Sequence, residues 1–259
     1  MDFTFGIITD GRVDNIILQI INSIEEQNIP NYEIIIVGNS KISGNNINVI
    51  NFDESIKRAW ITKKKNIICQ NAKYENIVLL HDYVLFDKDW YKGFLKFGHN
   101  FKYCITQIKT IDGKRFRDYT LYPFGLEPLF QDNCLLPYSY NPSDDIRKLL
   151  YISGTYYIIK KDIALQYPLN EDLIHGGGED VEISQRLATN NIHITCNSYS
   201  TVSYLKSKPQ CNWENELTKD QIIELDYLDN NTLNILFKKQ KNHVNSWIKS
   251  TQGVFYKPY

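Results

Sequence analysis

Two short runs in this chain carry side chains able to do chemistry. The first is His175-Gly176-Gly177-Gly178-Glu179-Asp180-Val181-Glu182, in which three glycines precede a cluster of carboxylates. Residues without a Cβ let a backbone approach a ligand closely. Acids in a first helical turn are favoured by roughly 0.3–1 kcal/mol through the macrodipole alone, which accounts for Glu179 and Asp180 but not for the glycines. The second run is Ile77-Val78-Leu79-Leu80-His81-Asp82-Tyr83. Four apolar residues bounded by polar ones read as a strand buried on both faces, the kind found inside a parallel sheet. Open parallel sheets bind ligands at the carboxyl ends of their strands, which is where His81 and Asp82 fall. Asp82 is a hard oxygen donor suited to Mn²⁺ or Mg²⁺, and the imidazole of His81 is tolerable to Mn²⁺. The plainer reading of His81 is a strand-end histidine bonded to backbone.

Other elements must bring these runs together. Phe3 to Thr9 reads as a first strand, ending in Thr9-Asp10-Gly11-Arg12. Val13, Ile16, Ile17, Ile20, Ile21 and Ile24 recur at helical spacing, and Pro30 stops the helix. Glu33 to Val37 is a second buried strand, breaking at Gly38-Asn39-Ser40. Strand, helix, strand over this length is a βαβ unit with a right-handed crossover. Val49 to Phe52 is a short third strand. A helix is expected from about Glu54 to Ala72, with Ile61, Lys65, Ile68 and Ala72 on its inner face. Asp87 is a candidate cap for a helix whose apolar face is Trp90, Tyr91, Phe94 and Leu95. Tyr103 to Lys109 is another strand. Residues 110–150 read as irregular and rich in aromatics suited to stacking on a ligand ring or on one another. Strands follow at Tyr156 to Lys160, 192–197 and 200–205, with helices at 161–167 and from Glu179 onward. After Pro209, Thr218-Lys219-Asp220-Gln221 is a capping box, with Leu217 and Ile222 as its staple. Leu233, Leu236, Phe237, Val244, Trp247 and Ile248 mark a long amphipathic helix.

These residues resemble the GT-A glycosyltransferases, above all the large inverting family of nucleotide-sugar transferases. There a buried strand ends in an Asp-x-Asp signature or a His-Asp-Asp variant, followed by a Trp. Leu80-His81-Asp82-Tyr83 and Asp89-Trp90 match that pattern, with Tyr83 where the second acid usually stands. The resemblance implies an α/β fold of GT-A type, Rossmann-like, with a mainly parallel sheet flanked by helices. It covers about residues 1–208, leaving 209–259 as a helical C-terminal extension. It also implies a nucleotide-sugar site built from Thr9, Asp10, Arg12, Asn39, Ser40, Lys65, Asn66, His81, Asp82, Gly154, Gly177 and Gly178. The family's Arg-Asn pair, whose cation reaches the nucleotide, corresponds to Lys65-Asn66. In the Gly-Gly-Glu-Asp run, Glu179 would hold the acceptor and Asp180 would be the catalytic base.

Under that resemblance a nucleotide sugar, a UDP-sugar above all, is the donor, and a hydroxyl of a glycan or other acceptor is the nucleophile. Such a hydroxyl needs a carboxylate within hydrogen-bond reach to take its proton. Mn²⁺ or Mg²⁺ at His81 and Asp82 would offset the charge of the leaving diphosphate. Two positions weaken that metal: Tyr83, and Tyr204, which stands where many members place a His ligand. Lys65, Arg12 or Lys206 could neutralise the diphosphate instead. The rival readings are a retaining transferase on the same fold, a nucleotidyltransferase, and an inactive nucleotide- or sugar-binding module. The nucleotidyltransferase fares worst, because Thr9-Asp10-Gly11-Arg12 has one Gly and no Gly-rich loop.

Composition narrows the field. The chain has 259 residues, 42% of them hydrophobic, which fits a folded core. Its net charge of −1 gives no global field for nucleic acid or anionic lipid. No run approaches a membrane span, and the first residues do not read as a signal peptide. Five scattered cysteines without a Cys-x-x-Cys pair point to reduced thiols and a cytoplasmic location, and argue against structural zinc. The C-terminal helices offer a surface for self-association.

Overall fold

The computed structural model describes residues 1–127, 129–130, 133–208 and 214–251. The expected start of the extension at 209–213, with Cys211, lies outside the described residues, as do Pro128 and 252–259. In chain order the elements are β1 (Phe3–Ile8), α1 (Asp14–Glu25), β2 (Tyr32–Val37), β3 (Ile47–Ile50), α2 (Ile61–Asn71), β4 (Asn76–His81), β5 (Val84–Phe86), α3 (Trp90–Phe97), β6 (Tyr103–Lys109), β7 (Thr120–Leu121), β8 (Asn133–Leu135), α4 (Asp144–Arg147), β9 (Leu150–Tyr151), β10 (Tyr156–Lys160), α5 (Lys161–Gln166), α6 (Glu179–Thr189), β11 (Ile194–Tyr204), β12 (Asn215–Glu216), α7 (Lys219–Asp226) and α8 (Asn230–Thr251).

Eight strands form one sheet in the order β3-β2-β1-β4-β10-β6-β11-β5. The first four pair in parallel, as the expected βαβ unit requires. β10 runs antiparallel to both β4 and β6, so β4 has only one parallel neighbour and not the two its apolar run suggested. Only Asp82 and Tyr83 separate β4 from β5, yet the two strands are fourth and eighth in the order. The sheet must therefore curl, bringing its far edge back past the Asp82–Tyr83 turn.

Apolar layers cover both faces. On one, Phe3, Phe5 and Phe86 meet Trp90 and Phe94 of α3 with ring centroids 4.6–5.6 Å apart. Such rings stabilise by about 1.5–3 kcal/mol each on burial, with ~0.5–1.5 kcal/mol more per well-oriented pair. The Trp90 indole N–H donates to the Tyr156 hydroxyl at 2.7 Å, so no polar atom is wasted there. On the other face α2, α5 and α6 pack with Ile68, Ile163, Ile183 and Leu187 inward, joined by Leu217, Leu225, Leu233 and Leu236 from the C-terminal region.

Several local expectations are corrected. The helix expected from 54 begins only at Ile61. The Asp53 carboxylate takes the Ser55 N–H and hydroxyl into a turn, and Ala59 sits at φ +55°. The third strand is shifted to Ile47–Ile50. Asp87 caps nothing: its carboxylate accepts from the Ser203 hydroxyl at 2.8 Å, and Asp89 precedes α3. Leu95 is 55% exposed and does not belong to the apolar face of α3. The two strands expected at 192–205 are a single one, β11, with a register shift between Asn197 and Thr201. The stretch 110–150 is not structureless, for β7, β8 and β9, with β12, make a second four-stranded sheet. The capping box at Thr218 and Gln221 forms as expected.

Candidate active site

Register builds the site. Ile8 of β1 lies opposite His81 of β4, so the residues that follow, Thr9 and Asp82, emerge side by side. The Thr9 hydroxyl donates to Asp82 Oδ2 at 2.8 Å and accepts from the Gly11 N–H at 3.1 Å. Asp10 and Arg12 form an exposed ion pair beside it, with Arg12 Nε 2.9 Å from Asp10 Oδ2. At the end of β2, Asn39 is exposed. Ser40 donates to Asp14 Oδ1 at 2.8 Å, a fixing contact that sequence reasoning did not identify.

β10 runs the other way and brings Gly154 and Thr155 to the same end. The His81 N–H donates to the Thr155 carbonyl at 3.0 Å. The Gly154 peptide is a junction. Its N–H donates to Asp180 Oδ2 at 3.0 Å, and its carbonyl accepts from Lys65 Nζ at 2.6 Å. A Cβ on Gly154 would stand 2.6 Å from Glu179 Oε1 and 3.0 Å from Asp180 Cβ, so a side chain here would crowd the start of α6. Gly178 precedes α6 at φ +78°, and a Cβ there would meet the Trp247 ring of α8 at 2.7 Å. Packing thus accounts for Gly154 and Gly178, and backbone conformation for Gly178 and also for Gly176, at φ +80°.

Burial sets the electrostatics. Desolvation raises the Asp82 carboxyl above its usual range, opposed by the Thr9 bond and the charge of Lys206. Desolvation also pushes Glu179 up to about 7, helped by neighbouring Asp180 and opposed by Lys65. Lys65, 1% exposed and 3.9 Å from Glu179, is pushed down by the same burial. His81 is held well below its normal value by burial and then by the charge of Lys65, so its ring is neutral. Its Nε2 is buried without a hydrogen-bond partner.

Neither a comparison with protein-family sequence profiles nor one with curated protein sequences returns a match. Solved structures do match. GalNAc-T7 crystallised with UDP, GalNAc and Mn²⁺ superposes with a TM-score of 0.57 at 14% identity, over 83% of this chain and 45% of that one. Residues 1–349 of S. aureus TarS superpose with a TM-score of 0.52 at 13% identity, over 99% of this chain and 76% of that one. The same fragment in complex with UDP-GlcNAc gives 0.55 at 13%, over 96% and 74%. This chain has the GT-A fold. It spans less than half of the GalNAc-T7 structure.

Within this GT-A fold, the sequence-derived site set divides. Thr9, His81, Asp82, Gly154, Glu179 and Asp180 converge at one end of the sheet, with the Asp10–Arg12 pair and Asn39 at its rim. Lys65 belongs to the same end but lies beneath it, too buried and committed to reach a nucleotide. Asn66 is elsewhere: its amide brackets the backbone of Leu169, with Nδ2 to the carbonyl and Oδ1 to the N–H, both at 2.9 Å. Gly177 lies within the loop before α6, bonded to the Ile174 carbonyl at 2.8 Å.

The cation that does meet strand one is Lys64, whose Nζ donates to the Thr9 carbonyl at 2.7 Å and pairs with Glu54. The consecutive lysines 63–65 were a signal for it, but periodicity favoured Lys65. Lys208 was also missed; its Nζ donates to the Tyr83 hydroxyl at 2.9 Å. So was a cavity of about 410 Å³ lined by Tyr122, His243, Ser246 and Trp247. It opens beside Gly178 through Trp247. Its residues come from elements too distant in sequence to be associated by pattern.

The donors for a divalent cation are few. Among the described residues, no group of three or more His, Cys, Asp or Glu side chains is placed to hold a metal ion. Asp82 commits one oxygen to Thr9, and Asp10 is paired with Arg12. Tyr204 is fully buried with its hydroxyl 3.2 Å from Ser153 Oγ, facing the interior. His81 and Asp82 are the two donors that remain, and a cation held there would fill the rest of its shell with phosphate oxygens and water. Among the described residues no helix is long and apolar enough to cross a membrane.

Proposed function

We propose that this protein is a glycosyltransferase that moves a sugar from a nucleoside-diphosphate sugar, a UDP-sugar above all, to a hydroxyl of a glycan acceptor with inversion. The observation that carries the reading is the Gly154 junction. Gly154 bonds Asp180 at the start of α6, and the next residue, Thr155, accepts the N–H of His81 beside Asp82, which supports reading the two runs as parts of one site. Two of the similar structures hold UDP and UDP-GlcNAc respectively, which favours a uridine donor.

The chemistry follows from the groups present. Asp180 takes the proton of the acceptor hydroxyl as its oxygen attacks the anomeric carbon. The bond from that carbon to the β-phosphate oxygen breaks, and the nucleoside diphosphate departs with the electron pair. Inversion follows from a single displacement. Glu179, behind Asp180 and beside Lys65, positions the acceptor end of the cleft. The cavity at Tyr122 and Trp247 adjoins that end and offers rings for a sugar face. The Mn²⁺ or Mg²⁺ implied by the family resemblance would be held by Asp82 and His81 and would offset the charge of the diphosphate, and no step is routed through it.

The test is a melting panel with UDP, GDP, dTDP and CMP, followed by transfer assays. At ~100 times its Kd, UDP should stabilise by about 2.7 kcal/mol, or roughly 5–10 °C for a chain of this size. Asp180→Asn should lower transfer about 10²-fold or more while UDP still stabilises. No shift with any nucleotide, or near-normal turnover in Asp180→Asn, would defeat respectively the donor assignment and the assignment of the base.

A further inference from the structure

The departing diphosphate needs positive charge, and the strand-end cleft holds several cations whose availability differs. Lys64 is spent on Glu54 and the Thr9 carbonyl, Lys65 on Gly154 and Glu179, and Arg12 on Asp10. Lys206 and Lys208 are not so committed. Neither is ion-paired with a carboxylate among the described residues. Lys206 is exposed and Lys208 half-exposed.

Their placement is built. The Leu205 N–H donates to the Tyr83 carbonyl at 2.9 Å, so the chain leaving β11 runs past the Asp82–Tyr83 turn. Lys206 Nζ lies 4.5 Å and Lys208 Nζ 4.8 Å from the Tyr83 ring centroid, and Lys208 also donates to its hydroxyl. Tyr83 is itself fixed, 5% exposed, edge-on to buried Tyr204 at 5.7 Å, with its hydroxyl 3.3 Å from Thr155 Oγ1. At the positions expected to supply metal ligands, Tyr83, backed by Tyr204, thus forms a platform for two ammonium groups. The charge of Lys206 acts on Asp82, and both lysines act on His81 and His175.

We propose that Lys206 and Lys208 bind the diphosphate of the donor and stabilise it as it leaves, so that donor binding and transfer proceed without a divalent cation. This rests on the glycosyltransferase reading above. An ammonium group is a compact charge with three donors, matched to phosphate oxygens that gain charge as the glycosidic bond breaks. It is preorganised here by Tyr83. The step needs no proton transfer from either lysine: the leaving oxygen takes the bonding electron pair and the ammonium groups stay protonated.

The experiment measures UDP binding by calorimetry, and transfer from a UDP-sugar, in EDTA and in Mn²⁺. Wild type, Lys206→Gln, Lys208→Gln, the double variant and Lys208→Arg are compared. The expected result is that wild type binds UDP in EDTA within about twofold of its affinity in Mn²⁺, and that rising NaCl weakens the complex. The double variant should lose about tenfold or more in affinity in EDTA, as removal of two charge-assisted bonds requires, while Lys208→Arg keeps most of it. Melting temperature without ligand identifies any variant whose fold is damaged, and Lys206→Gln, which removes no hydrogen bond to Tyr83, carries the test if Lys208→Gln is one. Binding or transfer that requires Mn²⁺, or UDP affinity in EDTA untouched by Lys206→Gln and the double variant, overturns the proposal and leaves the glycosyltransferase reading standing. Failure to bind any nucleotide in either condition overturns that reading and this proposal with it.

Discussion

Glu179 is a carboxyl with almost no contact with water, set beside another carboxylate and a buried ammonium group. Its folded-state value is about 7 against an ordinary 4.5, with burial as the first cause. Between those values the folded chain holds a proton that the unfolded chain has released. The contribution to stability is therefore fully present below about pH 4.5 and is lost as pH rises through about 7. Glu179→Gln does not titrate. From about pH 5 to 8 the melting temperature of wild type should fall relative to that variant, and parallel curves would mean that Lys65 keeps Glu179 ionised throughout. The sequence showed Glu179 and Asp180 as a chemical pair at a helix start. It could not show that one is buried and the other reaches the Gly154 N–H, because that difference is made at the head of β10, by a glycine 26 positions before Asp180.

At the scale of elements, α2 shows where reasoning by pattern stops. Its inner face was legible: Ile61, Lys65 and Ile68 are all buried. Which polar group on that helix does what was not. Lys64 and Asn66 flank the apolar stripe, so helical spacing treats them as marginal, yet both are buried and bonded to distant backbone. Asn66 clamps the segment leading to the glycine run, with a further bond to Glu171 at 3.0 Å. Asn66→Ala should therefore lower stability by about 1–3 kcal/mol, the cost of leaving a buried peptide unsatisfied. UDP affinity in the same variant should stay near wild type. A variant with normal melting and weakened UDP binding would return Asn66 to the nucleotide. The strands tell the opposite story. β1, β2, β4 and β6 were legible because a buried strand is a short apolar run whatever its neighbours. Pairing direction was not, since an apolar run reads alike beside a parallel or an antiparallel partner.

At the scale of the molecule, one face of the curled sheet and the C-terminal helices form a shared apolar layer. Leu217, Leu225, Leu233 and Leu236 share a core cluster with Leu121, Leu126 and Leu149, which belong to the segment read as irregular. That segment seemed featureless because its strands are two or three residues long, too short for alternation to register. Its order comes from what covers it. Gln240 of α8 donates to the Tyr122 carbonyl at 2.8 Å, and Trp247 reaches Gly178. We propose that residues 209–259 complete the 1–208 region and do not merely append to it. Each of the four leucines contributes roughly 1.5–3 kcal/mol on burial, and together they approach the ~5–15 kcal/mol net stability of an ordinary domain. A chain ending at residue 208 should therefore lose cooperative melting or drop sharply in melting temperature, and expose apolar surface to a hydrophobic dye. If it melts as the full chain does and still binds UDP, the helices are a separable attachment, and the aromatic cavity beside Gly178 has no part in holding the site together.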